Sequence, residues 1–503
     1  MSATRREPSR ATTICAPSIN IVLAQSQQNK RFRHGRLLAS SAQAALTNQP
    51  QGAKSMTSND RYVLVTGANS GLGLGTCCRL IDEYLASQPR DHGALTIIFT
   101  TRSAKKGAET LSTLEKHLAR HGRAPTSGRK IFFQPENVEL TSLLSIRALS
   151  RKLLASDLPH INAIVLNAGI GGWSGLDWPL TLWTVLTGIR QATTWPTFKL
   201  GLVGLVTKPQ FPQGTFAGEG PILGEVFCAN VFGHYMLVHW LMPLFRACAP
   251  ESRGKIIWST SIEAVGRHYN PEDHQGLKSD AAYEHTKRIG DLLALSAVNQ
   301  PATAKQVKEY TTPSYTVASA RERPDQSEPT FHVSHPGVCT TTIISLCWIV
   351  HECYRLGIYL ARWCGSPWAN VTSYLGAASA SWLALASLAA ITGKAIQDTG
   401  DENSGPCKWG SSTDRLGRSH VRVTDVQGWG LNGSGKPFKD KWWGGSLGRK
   451  TGFVDATKDD VENFVAQGAQ VWNRMETLRK DWEARIEKYE ADHATGSNGH
   501  VIK

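Results

Sequence analysis

Along most of the chain, short continuous apolar runs alternate with longer stretches in which apolar and polar positions are mixed. The runs are Tyr62–Thr66 (YVLVT), Leu95–Thr101 (LTIIFTT), Lys130–Gln134, Asn162–Leu166 (NAIVL), Lys255–Ser259 and Phe331–Ser334. Strands that are apolar on both faces belong inside a parallel sheet covered by helices. The stretches between them read as helices: one running to about Leu85, then Ala104–Leu118, Ser142–Leu154, Gly224–Leu244 and Ala281–Val298. This alternation predicts an α/β fold, a doubly wound parallel sheet with helices on both faces.

Two stretches break the rhythm. Residues 171–222 are rich in Trp, Pro and Gly and too long for a simple connection, which points to ordered structure on the substrate side. Residues 301–329 are polar, with four prolines and charges of both signs, and read as a solvated insertion. The expected domain runs from 59 to 396. A Gly/Ser-rich segment (397–457), a charged C-terminal helix (458–490) and a tail (491–503) follow it.

Composition narrows the class. With 503 residues, 41% apolar and 19% charged, the chain is ordinary for a globular protein. Its net charge of +14 is uneven: residues 1–58 hold eight Lys/Arg against the single acid Glu7. That segment reads as a basic extension or an organelle-targeting peptide. The rest carries no helix with one basic face, so nucleic acid is not expected as a partner. Ten cysteines without C-x-x-C spacing read as reduced thiols, and no metal is expected, since no Cys/His cluster of zinc type is evident.

Between the first strand and first helix lies Thr66-Gly67-Ala68-Asn69-Ser70-Gly71-Leu72-Gly73. Gly67 allows a sharp turn, Gly71 lets backbone N–H groups approach a pyrophosphate, and Gly73 lets helix and sheet pack closely. This setting makes the sheet Rossmann-type and the loop a dinucleotide site. The second strand ends on Arg102, followed by Lys105 and Lys106 with no acid nearby, which favours the 2′-phosphate of NADPH over NADH. Tyr283 and Lys287 stand at i and i+4, so they share a helix face, and a nearby ammonium stabilises a phenolate. Ser261 follows one buried strand, with Ser259 as an alternative, and Asn167-Ala168-Gly169 follows the strand before it.

With these residues in this order, residues 61–342 resemble the short-chain dehydrogenase/reductase family. The resemblance implies a catalytic set of Ser261, Tyr283, Lys287 and Asn230, the last holding a water that links Lys287 to solvent. It also implies cofactor contacts from Pro336, Gly337 and either Thr340 or Thr341, with Glu139 in the place of an adenine-binding Asp. Three departures stand out: Glu139 itself, Leu166 before Asn167-Ala168-Gly169, and a long gap between Ser261 and Tyr283. Within the family the chain looks most like the fungal reductases of 3-keto sterols, through Leu176-Asp177-Trp178, Asn230–Tyr235 (NVFGHY) and Leu360–Trp368 (LARWCGSPW). That branch implies reduction of a sterol C3 ketone in ergosterol synthesis, beside other sterol C-4 demethylation enzymes. Another lipid-like ketone or aldehyde, or an added scaffold role, stays open.

A sterol substrate raises the question of a membrane. Residues 342–368 combine an apolar run with His351, Glu352, Arg355 and Arg362, and read as a helix lying in one leaflet. Gly376–Gly393 is uncharged for a span's length but rich in Ala and Ser, and reads as a core helix. The expected location is the cytosolic face of the endoplasmic reticulum or a lipid droplet.

Overall fold

The computed structural model describes residues 59–87, 93–121, 129–212, 220–313, 327–341, 343, 348–437 and 448–496. The chain divides into two units, Met1–Met56 and Thr57–Lys503. The basic extension 1–58 and the end of the tail lie outside the described residues.

The chain runs β1 (Arg61–Val65), α1 (Gly71–Ala86), β2 (Ala94–Thr101), α2 (Ala104–Ala119), β3 (Lys130–Asn137), α3 (Leu143–Leu154) and β4 (Ala163–Leu166). The first irregular stretch supplies β5 (Trp173–Leu176), α4 (Trp178–Thr194) and β6 (Lys199–Gly201). Next come α5 (Glu225–Phe227), α6 (Gly233–Trp240), α7 (Met242–Arg246), β7 (Lys255–Ser259), α8 (Ala282–Ser296), α9 (Ala304–Thr311), β8 (Thr330–His335) and β9 (Val338–Cys339). The remainder is α10 (Trp348–Trp363), β10 (Ala369–Val371), α11 (Ser373–Gly376), α12 (Ala378–Leu385), α13 (Leu388–Thr399), β11 (Lys408–Thr413), β12 (Ser419–Thr424) and α14 (Lys458–Gly496).

Eight strands form one sheet in the order β12-β11-β8-β7-β4-β1-β2-β3, all parallel except β12. Its side chains alternate between two cores. Leu64, Ile98 and Ile164 face Leu149, Phe232, Leu292 and Trp472. Val63, Val65 and Ile97 face Leu80, Leu114 and Leu383. The chain order reverses between β1 and β4, and a parallel sheet opens a ligand crevice at that point, beyond the strands' carboxyl ends.

Four expectations need correction. The 397–457 segment is not outside the domain, because it supplies β11 and β12. β11 reads KWGSST, and its polar side chains are buried and satisfied: Lys408 binds Asp291 at 2.6 Å and Ser411 donates to the Gly376 carbonyl at 2.7 Å. Hydropathy does not detect such a strand. The charged C-terminal helix runs to Gly496 and buries Phe464, Val471, Trp472 and Met475 in the main core. The insertion 301–329 contains α9, whose Tyr310 is buried and donates to the Tyr235 carbonyl at 3.0 Å; residues 314–326 lie outside the described set. The single helix expected over Gly224–Leu244 is broken by a wide π-type turn at Cys228–Phe232 and again before Pro243.

The two apolar stretches resolve into short elements. α10 falls within 342–368, of which 342 and 344–347 are not described. Gly376–Gly393 becomes the end of α11, the mostly buried α12 and the start of α13, with the Ser387 side chain capping α13. Among the described residues no helix is long and apolar enough to cross a membrane.

Candidate active site

A cavity of about 700 Å³ opens at the reversal point. The loop after β1 forms one end. Gly67 and Gly71 have φ of +68° and +54°, and a Cβ on Gly67 would come within 2.8 Å of Ala168. A Cβ on Gly73 would collide with the Gly67 carbonyl, so this glycine permits close helix packing. Gly73 itself does not line the cavity. Ser70 gives α1 no side-chain cap, which leaves the first-turn N–H groups for an anion. Gly67, Asn69, Ser70, Gly71 and Leu72 all face the cavity. These features fit a dinucleotide pyrophosphate.

Thr66 ties this loop to the next. Its hydroxyl accepts from the backbone N–H of Asn167 at 2.9 Å and Ala168 at 3.0 Å. His234 Nε2 meets the same hydroxyl at 2.9 Å, while its Nδ1 lies 3.2 Å from the Asn230 carbonyl. A carbonyl only accepts, so Nδ1 carries the proton and Thr66 donates to Nε2. Burial pushes His234 down to about 3, which keeps the ring neutral. Asn167, Ala168 and Gly169 line the cavity as expected.

Arg102, at the end of β2, is exposed and lines the same end, whereas Lys105 and Lys106 do not reach the cavity. Glu139 also lines it, with its carboxylate held by the Thr141 N–H at 3.2 Å and hydroxyl at 3.0 Å. After β8, Pro336, Gly337 and Thr341 border the cavity. Thr340 is engaged elsewhere, donating to the Val371 carbonyl at 2.8 Å.

Tyr283 and Lys287 rise from the first turns of α8, and Ser261 follows β7. Ser261 and Tyr283 both line the cavity, and the Ser261 side chain eases ionisation of Tyr283 against its burial. Lys287 Nζ lies 5.3 Å from the Tyr283 ring centre and donates to the Ser259 carbonyl at 2.9 Å. Ser259 therefore serves the site through its backbone, and Ser261 presents the hydroxyl. Burial pushes the Lys287 ammonium down to about 8; Asp291 opposes that shift and Lys408 adds to it. Tyr283 is pushed well up, first by burial and then by Glu263 and Glu284.

Asn230 braces the loop after β4. Its Oδ1 accepts from Ile170 N–H at 2.8 Å, and its Nδ2 donates to the Ile170 carbonyl at 3.0 Å and Thr286 Oγ1 at 3.1 Å. It does not line the cavity. These bonds let Asn230 position the loop after β4, and its carbonyl meets His234 Nδ1 at 3.2 Å.

Four residues around the site, Lys199, Glu263, Glu284 and Trp173, escaped the sequence analysis. Lys199 is buried between Glu263, at 2.9 Å, and Glu284, and lies 4.5 Å from the Trp173 ring centre. Trp173 in turn packs on Tyr283 with centroids 4.8 Å apart. Burial would lower Lys199, but the two carboxylates outweigh it and hold it charged. Burial pushes Glu263 up to about 7, against the pull of Lys199. The only signal in the sequence was that the stretch 171–222 looked ordered; its long-range partners left none. Beyond this cluster the cavity is apolar, walled by Val185 and Ile189 of α4 and Val350 and Tyr354 of α10.

A glycine cradle at the reversal point of a parallel sheet, with Tyr-x3-Lys beside a strand-end serine, defines a protein of the short-chain dehydrogenase/reductase class. No protein-family model matches the chain. The chain is 42% identical over 443 residues to the 3-keto-steroid reductase of Aspergillus fumigatus, covering 86% of this chain and 96% of that one. It is 35% identical over 470 residues to that of Gibberella zeae, covering 84% and 94%. The chain belongs to the 3-keto-steroid reductase family. Among solved structures, a 3-oxoacyl-[acyl-carrier protein] reductase from Brucella melitensis aligns with 14% identity and a TM-score of 0.35, over 67% of this chain and 90% of that one.

Proposed function

We propose that this protein reduces the C3 ketone of a sterol intermediate to the 3-hydroxyl, using NADPH. The carrying observation is the placement of Tyr283, lining one cavity with Ser261 and one helical turn from Lys287, where the glycine cradle meets the apolar chamber. The names of the relatives support a 3-keto steroid, and the apolar walls suit one. Arg102, facing the cradle with no acid beside it, supports a 2′-phosphate on the cofactor.

A bound reduced nicotinamide supplies the hydride. Tyr283 gives its hydroxyl proton to the carbonyl oxygen. Ser261 donates a hydrogen bond to that oxygen as negative charge develops. The Lys287 ammonium, anchored on the Ser259 carbonyl, offsets the charge left on Tyr283. Asn230 and His234 fix the loop that carries Asn167 to Gly169.

The chamber's outer walls support delivery from a membrane. On α4, Thr181, Val185 and Ile189 face the cavity while Leu182, Trp183 and Leu186 are exposed. On α10, Val350, Tyr354 and Gly357 face it while Ile349, Leu356 and Trp363 are exposed. Helices that are apolar on both faces suit a site whose rim sits in lipid, such as the cytosolic leaflet of the endoplasmic reticulum or the surface of a lipid droplet.

The test is turnover of a 3-keto sterol by the purified protein, with the product identified by mass spectrometry and NADPH compared with NADH. Tyr283→Phe is expected to lose at least about a hundredfold in rate while NADPH binding is kept, since only the proton donor is removed. Near-normal rates in that variant, or no sterol product from the parent protein, would overturn the proposal.

A further inference from the structure

We propose that Asp82, His117 and His121 form a binding site for a divalent cation of the zinc class, joining α1 to α2 away from the active site. His117 lies in the last turn of α2 and His121 four residues on, so both face α1. Their Nε2 atoms converge on one oxygen of Asp82, at 2.8 and 2.6 Å from Oδ1. The other oxygen, Oδ2, accepts the Tyr374 hydroxyl of α11 at 2.6 Å. All three ligand atoms lie within 4.8 Å of one another.

Zinc at about 2.0–2.2 Å from nitrogen and oxygen ligands holds them roughly 3.3 Å apart, so Asp82 and the imidazoles need to open by only about half an ångström. Two imidazoles and one carboxylate with an open face form a recurrent metal set, and water completes the tetrahedron on the side where His121 is partly exposed. The Tyr374 hydrogen bond fixes the carboxylate as an outer-sphere group does at metal sites. Hydrogen bonding alone accounts poorly for the convergence. Water reaches all three side chains, so two imidazoles gathered on one carboxylate oxygen gain little from each other's company. The neighbouring acid Glu83 is occupied by Arg79 at 2.6 Å and does not compete. The spacing of His117 and His121 was visible in the sequence; the expectation of no metal overlooked it, because the third ligand comes from another helix.

The site has a mechanical role. α1 carries the glycine cradle at its opposite end, about 16 Å from Asp82 along the helix axis. α2 begins just after Arg102, so a cation would clip together the two helices that present the cofactor's phosphate contacts.

The test uses full-length, untagged protein freed of metal by chelator and titrated with cobalt(II) and zinc. Expected are one cobalt per chain with visible ligand-field bands, displacement by zinc, and a zinc-dependent rise in melting temperature. His117→Gln/His121→Gln should abolish the bands and the rise, and Tyr374→Phe should weaken cobalt binding about tenfold. His121→Gln alone, at the more exposed ligand, should reduce affinity while retaining the parent's circular dichroism and metal-free turnover. Absence of cobalt bands in the parent protein, or bands and stabilisation that survive the double substitution, would overturn the proposal.

Discussion

Replacing Leu182 with Ser, Trp183 with Gln and Leu186 with Ser tests the link between the chamber's outer wall and lipid. These side chains are 63%, 66% and 74% exposed, so about two thirds of each is still available for burial. Complete burial of such a side chain is worth about 1.5–3 kcal/mol, which gives about 1–2 kcal/mol each and about 3–6 kcal/mol for the three. At 1.4 kcal/mol per decade, vesicle affinity should fall by about two to four orders of magnitude. Folding should scarcely change, since exposed substitutions typically shift stability by about 0.5 kcal/mol or less each. The assay is co-sedimentation with phosphatidylcholine vesicles at low and high salt. Binding by the parent should be nearly salt-independent, because apolar burial is not screened. Turnover of detergent-dispersed sterol should survive while turnover of vesicle-borne sterol drops. Binding within threefold of the parent in a folded triple variant would refute the reasoning.

Arg102→Asp should move the ratio of kcat/KM for NADPH over NADH towards NADH by at least about tenfold; an unchanged ratio would take the selection of the 2′-phosphate away from Arg102. The Lys287 ammonium, pushed down to about 8 chiefly by burial, is charged below that pH and neutral above it, while Tyr283 is pushed up and keeps its proton. The rate of ketone reduction should therefore hold below about pH 8 and fall as pH rises through it, and a profile flat to pH 10 would contradict this. Trp472→Ala removes a fully buried side chain of α14 and should cost about 3–5 kcal/mol in urea unfolding; a cost under about 1 kcal/mol would place the C-terminal helix outside the cooperative core.

What the sequence made legible was whatever was local. Six strands of the sheet are continuous apolar runs; the structure places five of them within one residue of the expected ends, while β3 runs three residues further, to Asn137. The cradle, the Tyr283–Lys287 pair and the strand-end serine are each fixed by spacing within one element or one turn. What stayed hidden is long-range and polar. β11 is a strand because Lys408 meets Asp291 and Ser411 meets Ser379 and Gly376, contacts made by residues from 32 to 117 positions away. Lys199 belongs to the site only because Glu263 and Glu284 arrive beside it from the two ends of another loop. Asn230 was recognised by its motif, but its amide's bonds to Ile170, 60 positions away, were not legible. Hydropathy registers none of these, since it treats a paired buried charge as an exposed one.

The two buried charge groups around Tyr283 have opposite signs, and together they set how tightly it holds its proton. On one side Lys287, Arg288 and Lys408 outnumber Asp291 and leave net positive charge, with Lys408 also donating to the Ser261 carbonyl at 2.7 Å. On the other, Lys199 between two carboxylates leaves one negative charge when both are ionised. Glu263 and Glu284 both raise Tyr283, in the same sense as its burial, so the resting hydroxyl holds its proton. A tyrosine kept protonated is ready to donate to a carbonyl oxygen and poorly placed to take a proton from an alcohol. The Lys287 ammonium then acts where it matters most, on the phenolate left after the proton has moved. Because Glu263 is itself pushed up to about 7, its protonation near neutral pH would soften the negative side. Glu263→Gln should then lower the energy of the Tyr283 phenolate and move the pH dependence of ketone reduction to lower pH. Measuring the pH profile of that variant separates this electrostatic effect from a merely structural role for the Lys199 cluster, which would slow turnover without moving the profile.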